Sequence, residues 1–236
     1  MTTLDSQRGD VAVVVAAGGT GIRLGGGLPK ALQLLAGEPL LVHAVRGLTA
    51  AGSVGWVVVA APPGYEVAVR ELVAPAGSVE VVPGGADRQR SVAAALAVIP
   101  ADFDIVLVHD AARPLTPPSL VEQVAAAVRS GRDAVIPVLP VPDTISQVDP
   151  TGRVVGSPDR ASLRAVQTPQ GFRRTVLAAA HAAPAGGPVT DDAGLVARLG
   201  IPVHTVPGSG YALKITTRLD LQVAGALLNG GGPDPA

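Results

Sequence analysis

Two lysines, Lys30 and Lys214, stand among sixteen arginines in this chain. Lys30 closes a glycine-rich stretch, AGGTGIRLGGGLPK from Ala17 to Lys30, which also carries Arg23. A lysine ammonium is a compact charge on a flexible stem and an arginine a planar fork, so a lysine ending a glycine loop suits a phosphate that moves during reaction. Backbone amides near Ala17, Gly18 and Gly19 can approach a polyphosphate while Arg23 and Lys30 neutralise it. The loop is neither a dinucleotide fingerprint, because Leu24 stands where the third glycine belongs, nor a Walker loop, because Pro29 precedes Lys30. The competing reading is a flexible connector with solvated cations.

Three further clusters carry chemistry. In DIVLVHDAARP, Asp110 and Arg113 fall at or just beyond the end of an apolar run, where they suit a metal or hydroxyl contact and an anion clamp, or else a local ion pair. In PGGADRQRS, a turn leads into a helix, and Gly85, Arg88 and Ser91 can read a nucleotide base, with Ser91 otherwise an ordinary first-turn residue. Thr190, Asp191 and Asp192 read first as a helix N-cap and second as a site contribution, with Thr190 a candidate substrate contact. His109 orients or packs rather than transferring a proton, and His43, His181 and His204 have no triad or metal-ligand spacing.

These residues need a frame. Valine-rich runs at 11–17, 55–61, 79–82, 105–109 and 133–138 alternate with helical spacing at 39–50, 65–73, 87–98, 117–129, 173–181, 191–199 and 217–228. The alternation predicts an α/β fold with a doubly wound, mostly parallel sheet, whose ligands bind at the carboxyl ends of the strands. Residues 140–164 change texture and predict a projecting β-hairpin with its turn at Asp149–Gly152. One domain over 11–228 is expected, with residues 1–10 and the tail 229–236 disordered.

Composition narrows the function. There is no cysteine, which removes disulfides, thiolate catalysis and cysteine-based zinc sites. A formal net charge of −1 and only 2% aromatic residues argue against a nucleic-acid partner held by phosphate contacts or base stacking. The apolar runs are too short to span a bilayer and the first residues lack a secretory apolar region, so no membrane partner and a cytoplasmic location are expected.

Taken together, the AGGTGIR loop with its later PK, PGGADRQRS, HDAARP, the PDT hairpin, TPQGF, TDDA and LKIT resemble the 2-C-methyl-D-erythritol 4-phosphate cytidylyltransferases over about residues 11–228. The resemblance implies a Rossmann-like nucleotidyltransferase fold with a β-arm exchanged across a homodimer. The activity it implies joins CTP to methylerythritol phosphate in the non-mevalonate route to isoprenoid precursors. Ala17, Gly18 and Gly19 would line the nucleotide, Gly85, Arg88 and Ser91 would hold its base end, and Arg23 and Lys30 would stabilise the triphosphate. Asp110 and Arg113 would meet sugar alcohol or nucleotide, Thr144 and Arg160 would come from the arm, and Lys214 would position the attacking phosphate. Mg²⁺ would arrive mainly on the CTP phosphates, with no protein metal ligand assigned.

The chain departs from the family pattern in three places. A gapless match to AAGxGxR sets Gly18 on the second alanine, whereas matching Ala16, Ala17 and Gly18 literally requires one inserted residue. Ala86 stands in the base turn where a polar residue is common, and Ala31 follows Lys30 where glutamine is common. Two other readings stand beside this one. One is a cytidylyltransferase for another polyol phosphate, such as ribitol 5-phosphate; the other is a noncatalytic nucleotide-binding regulator.

Overall fold

Parallel strands buried on both faces read as continuous apolar runs, and the valine runs behave this way. The computed structural model describes residues 9–19, 27–184 and 189–231. In chain order its strands and helices are β1 (Val11–Ala16), β2 (Leu34–Leu35), β3 (Glu38–Pro39), α1 (Leu40–Thr49), β4 (Val54–Ala61), α2 (Glu66–Val73), β5 (Val79–Pro83), α3 (Arg88–Ala97), β6 (Ile105–Asp110) and α4 (Pro118–Arg129). There follow β7 (Ala134–Pro140), β8 (Gln147–Val148), β9 (Val154–Gly156), β10 (Arg164–Val166), β11 (Gln170–Arg173), α5 (Arg174–Ala182), α6 (Asp192–Arg198), β12 (His204–Pro207) and α7 (Arg218–Asn229).

The main sheet runs β5-β4-β1-β6-β11-β7, with β10 and β12 both pairing with β7. β5, β4, β1 and β6 are parallel neighbours. Alternation along β1 divides the core: Val11, Val13 and Val15 pack under α1, α2 and α4, while Ala12 and Val14 face α3, α5 and α6. A smaller cluster of Leu35, Leu40, Leu115, Ile215 and Ala224 seats α7.

The structure corrects the expected strand set. β11 lies antiparallel between β6 and β7, and β10 also runs antiparallel to β7. QGFR is too short to show alternation, and its pairing is decided by neighbours. At Gly171 an added Cβ would come within 2.6 Å of Val124 Cγ1 and 2.9 Å of Val128 Cγ2, so the glycine lets α4 press directly onto this strand.

Helix starts follow local chemistry. The Asp87, Asp191 and Thr217 side chains accept hydrogen bonds from the backbone N–H of Arg90, Gly194 and Asp220. The hairpin forms as a separate two-stranded sheet, β8 with β9, with its turn held by the Asp149 carboxylate accepting from the N–H groups of Thr151 and Arg153. Within the stretches expected to be disordered, Asp10 pairs with Arg129 at 2.6 Å and α7 continues to Asn229; residues 1–8 and 232–236 lie outside the described residues.

Candidate active site

β1 and β6 are in register, with Ala16 opposite Asp110, so both strands deliver their carboxyl ends to one place. A cavity opens there, and its wall contains Ala16, Ala17, Gly18 and Gly19 from the first loop together with Lys30 and Ala31. Gly85, Ala86, Asp87, Arg88 and Ser91 form a second side, and Asp110, Ala111, Ala112 and Lys214 complete it. Both lysines therefore face one cavity. Because Ala16 through Gly19 all line it, either alignment of the glycine loop keeps the residues expected to meet a nucleotide on the wall.

The described ends of the loop are held by backbone pairing. Ala17 N–H donates to Ala60 O at 3.1 Å, and Lys30 N–H donates back to Gly19 O at 3.0 Å, which returns the chain to the cavity after the loop. Arg23 lies outside the described residues. On the opposite segment, Ile215 N–H donates to Ala112 O at 2.8 Å, fixing the strip that carries Lys214 beside the end of β6.

Asp110 is the charge centre of the wall. Its Oδ2 accepts from Lys214 Nζ at 2.7 Å and its Oδ1 from Arg88 Nε at 3.3 Å. Burial works against its negative charge, but Arg88 and Lys214 outweigh that cost and hold its carboxyl well below the usual carboxylate range. Arg88 is itself half-inserted. Burial opposes its charge, and Asp192 and Asp110 restore it, raising its pKa. Arg88 thus binds carboxylates in this state rather than standing open as a simple nucleotide contact.

The PGGADRQRS turn is built around Ser91. Its Oγ accepts from Gly85 N–H at 3.0 Å and donates to Asp87 O at 2.8 Å. The hydroxyl locks the turn and presents the backbone of Gly85 and Ala86 to the cavity. A Cβ on Gly84 would sit 2.6 Å from Ala61 O, and one on Gly85 2.4 Å from Arg90 Cβ, so both glycines are sterically required.

Arg113 has a different position from the one its spacing suggested. It is buried, is absent from the cavity wall, and donates to Ala212 O at 2.6 Å and Val166 O at 3.1 Å. It straps together the segment just before TPQGF and the one just before Lys214. Beside it, Asp110 N–H donates to Thr168 Oγ1 at 3.1 Å, and Thr168 Oγ1 lies 3.1 Å from His109 Nδ1. His109 Nε2 faces Arg113 O at 3.2 Å, so this nitrogen carries the proton and Nδ1 accepts from Thr168. Burial pushes the His109 imidazole down to about 4, partly offset by Asp110, consistent with the packing role expected of it.

Thr144, Arg160 and Thr190 are also absent from the wall. Arg160 is exposed on the arm and its Nη1 donates to Pro142 O at 2.7 Å. Sequence reasoning placed Asp192 first in a helix N-cap and left its partners unassigned: it is fully buried and bonded to both Arg88 and His181. The available signal was the doubled acid in TDDA, because capping α6 consumes only Asp191. Gln170 of TPQGF was likewise unassigned. It clamps the same helix start, donating to Asp191 Oδ2 at 2.8 Å and accepting from Ala193 N–H at 3.1 Å.

Among the described residues no three His, Asp or Glu side chains converge as a metal cage. No helix among them is long and apolar enough to cross a membrane.

Comparison with known proteins agrees over nearly the whole chain. The profile of the 2-C-methyl-D-erythritol 4-phosphate cytidylyltransferase family (IspD) matches residues 11–230. The chain is 56% identical to the protein of that name from Frankia casuarinae, over 92% of this chain and 81% of the relative. It is also 56% identical to the one from Saccharopolyspora erythraea, over 92% and 99%. The crystal structure of the Thermus thermophilus protein of the same name superposes with a TM-score of 0.72 at 40% identity, covering 92% of this chain and 98% of that one.

Proposed function

The chain belongs to the 2-C-methyl-D-erythritol 4-phosphate cytidylyltransferase family, and from that premise we propose that its cavity joins CTP to 2-C-methyl-D-erythritol 4-phosphate. The products are 4-diphosphocytidyl-2-C-methyl-D-erythritol and pyrophosphate, a step toward isoprenoid precursors in the cytoplasm. One observation carries the reading: Lys30 and Lys214, from opposite ends of the chain, line a single cavity at the carboxyl ends of parallel strands.

The attacking group is the phosphate monoester of the substrate. With a second pKa near 6 it is already largely dianionic at neutral pH, so no general base is needed. The cavity wall suits this, since it contains no histidine among the described residues. The difficulty is to bring two anions together and to stabilise charge on the departing pyrophosphate. Lys30 serves the triphosphate beside the glycine loop, and Arg23 is assigned to the same task. Lys214 leaves or shares Asp110 to meet the incoming phosphate, in line with the α-phosphorus and opposite the leaving group. The backbone of Gly85 and Ala86, held by Ser91, meets the edge of the cytosine.

Asp87 and Asp110 are the carboxylates of the wall, and one or two carboxylates with substrate phosphates is a usual magnesium arrangement. They would hold Mg²⁺ carried on the triphosphate, where it offsets negative charge on the phosphoryl oxygens. Arg160 and Thr144 serve the site of a second copy. What supports this is their position on an exposed arm, outside the wall of their own cavity.

The deciding experiment is pyrophosphate release with Mg²⁺, methylerythritol phosphate and each of CTP, ATP, GTP and UTP, repeated with ribitol 5-phosphate. Release confined to CTP with methylerythritol phosphate is expected. Faster release with ribitol 5-phosphate, or CTP binding without release from any acceptor, overturns the assignment.

A further inference from the structure

Behind the cavity wall, buried charges continue inward from Lys214. Lys214 pairs with Asp110, Asp110 with Arg88, Arg88 with Asp192, and Asp192 with His181, joining the end of β6 to α3, α6 and α5. Asp192 is fully buried and does not touch the cavity. Its Oδ2 accepts from Arg88 Nη1, and its Oδ1 accepts from His181 Nε2 at 2.9 Å. The His181 side chain is 4% exposed, and among the described residues its Nδ1 has no hydrogen-bond partner, so the contact with Asp192 is what its ring supplies. A packing position needs no such pair, since a buried ion pair is seldom worth more than an apolar replacement.

The geometry of Arg88 gives the pair a purpose. A guanidinium can take both oxygens of one carboxylate. Here Arg88 is divided: Nη1 is held by Asp192 and Nε reaches Asp110 Oδ1, which leaves Asp110 Oδ2 to Lys214. Without Asp192, Arg88 is free to take both Asp110 oxygens and displace Lys214, or to turn toward an anion in the cavity.

We propose that Asp192, oriented by His181, is a positioning residue that divides Arg88 between two carboxylates and so sets where Lys214 stands for the incoming phosphate. The proposal rests on the cytidylyltransferase reading above. Asp192 touches no reacting atom; it acts through Arg88 and Asp110.

The low lysine count makes a direct test practical. In the full-length protein with ¹³C-methylated lysines, the side-chain signals are those of Lys30 and Lys214, assigned with Lys30→Arg and distinguished from the N-terminal amine. Asp192→Asn is expected to shift the Lys214 signal and leave that of Lys30 in place. It is also expected to lower kcat about tenfold or more while CTP affinity changes by less than about threefold. Adding Asp192→Asn to Arg88→Gln should cost nothing further, because Arg88 carries the effect. An equal loss in both backgrounds, or an unmoved Lys214 signal, overturns the proposal. Should Asp192→Asn fail to fold, His181→Gln decides: it keeps Lys214, Asp110, Arg88 and Asp192 in place, and wild-type kcat with an unmoved Lys214 signal sinks the proposal. Absence of pyrophosphate release from the unsubstituted protein would instead sink the cytidylyltransferase reading, and the Lys214 signal would remain readable.

Discussion

Lys214 Nζ lies 2.7 Å from Asp110 Oδ2, although 104 residues separate them in sequence. The contact brings a cation from the segment before α7 to the end of a central strand, on a cavity that the glycine loop and Lys30 also line. Both lysines line this one cavity, each from its own segment.

If these charges act on the reacting phosphates, Lys30→Ala and Lys214→Ala should each lower turnover by about 10²-fold or more. Both lysines are at the cavity surface, so thermal unfolding should stay close to that of the unsubstituted protein. Pyrophosphate release and a melting curve on the same samples check this, and wild-type-like turnover in either variant would remove that lysine from the mechanism.

Arg160 belongs to the arm, and a site shared between copies can be complemented. Subunits carrying Lys30→Ala mixed with subunits carrying Arg160→Ala should regain activity through hybrid dimers that contain one intact site. The measurement is turnover after verified subunit exchange. A mixture as inactive as its components would show that Arg160 does not serve a neighbour's cavity.

Arg113 gives opposite predictions for its two possible roles. As the buried strap seen here, Arg113→Ala removes its hydrogen bonds to the carbonyls of Ala212 and Val166, leaving Ala212 O the longer bond from Gln167 Nε2 at 3.3 Å, and should lower stability by about 3 kcal/mol. A direct anion clamp would instead weaken substrate affinity with stability unchanged. Urea unfolding together with the KM for methylerythritol phosphate separates the two, and the strap predicts the stability loss.

His109 should make stability depend on pH. Its folded pKa is lowered from 6.5 to about 4, so the unfolded chain binds the proton more tightly. The contribution is complete above about pH 6.5 and is lost as pH falls through 4, on the order of 3 kcal/mol over that window. His109→Gln should flatten this part of the profile. Unfolding midpoints compared between pH 7 and pH 4.5 test it, with parallel slopes in the two proteins as the contrary result.

Local sequence signals and tertiary contacts divided the work unevenly. Valine runs and helix spacing made the α/β layers legible, because burial on both faces of a parallel strand leaves an unbroken apolar run. Helix starts at Asp87, Asp191 and Thr217 were equally legible, since a cap is satisfied within three residues. β11 was not, because QGFR gains its strand character only from β6, β7 and the approach of α4 at Gly171.

For the site, the sequence by itself determined which chemical groups are available: a glycine loop, two scarce lysines, Asp110 and the base turn. Their spacing and order also pointed to one family. Only the tertiary structure decided how the charges pair. It turned Arg113 inward to carbonyls, divided Arg88 between Asp110 and Asp192, and placed Lys214 against Asp110. Such pairings join residues far apart in the chain and depend on burial, which makes an unpaired charge costly. Burial is a property of the packed layers, and no local pattern of residues encodes which charge meets which.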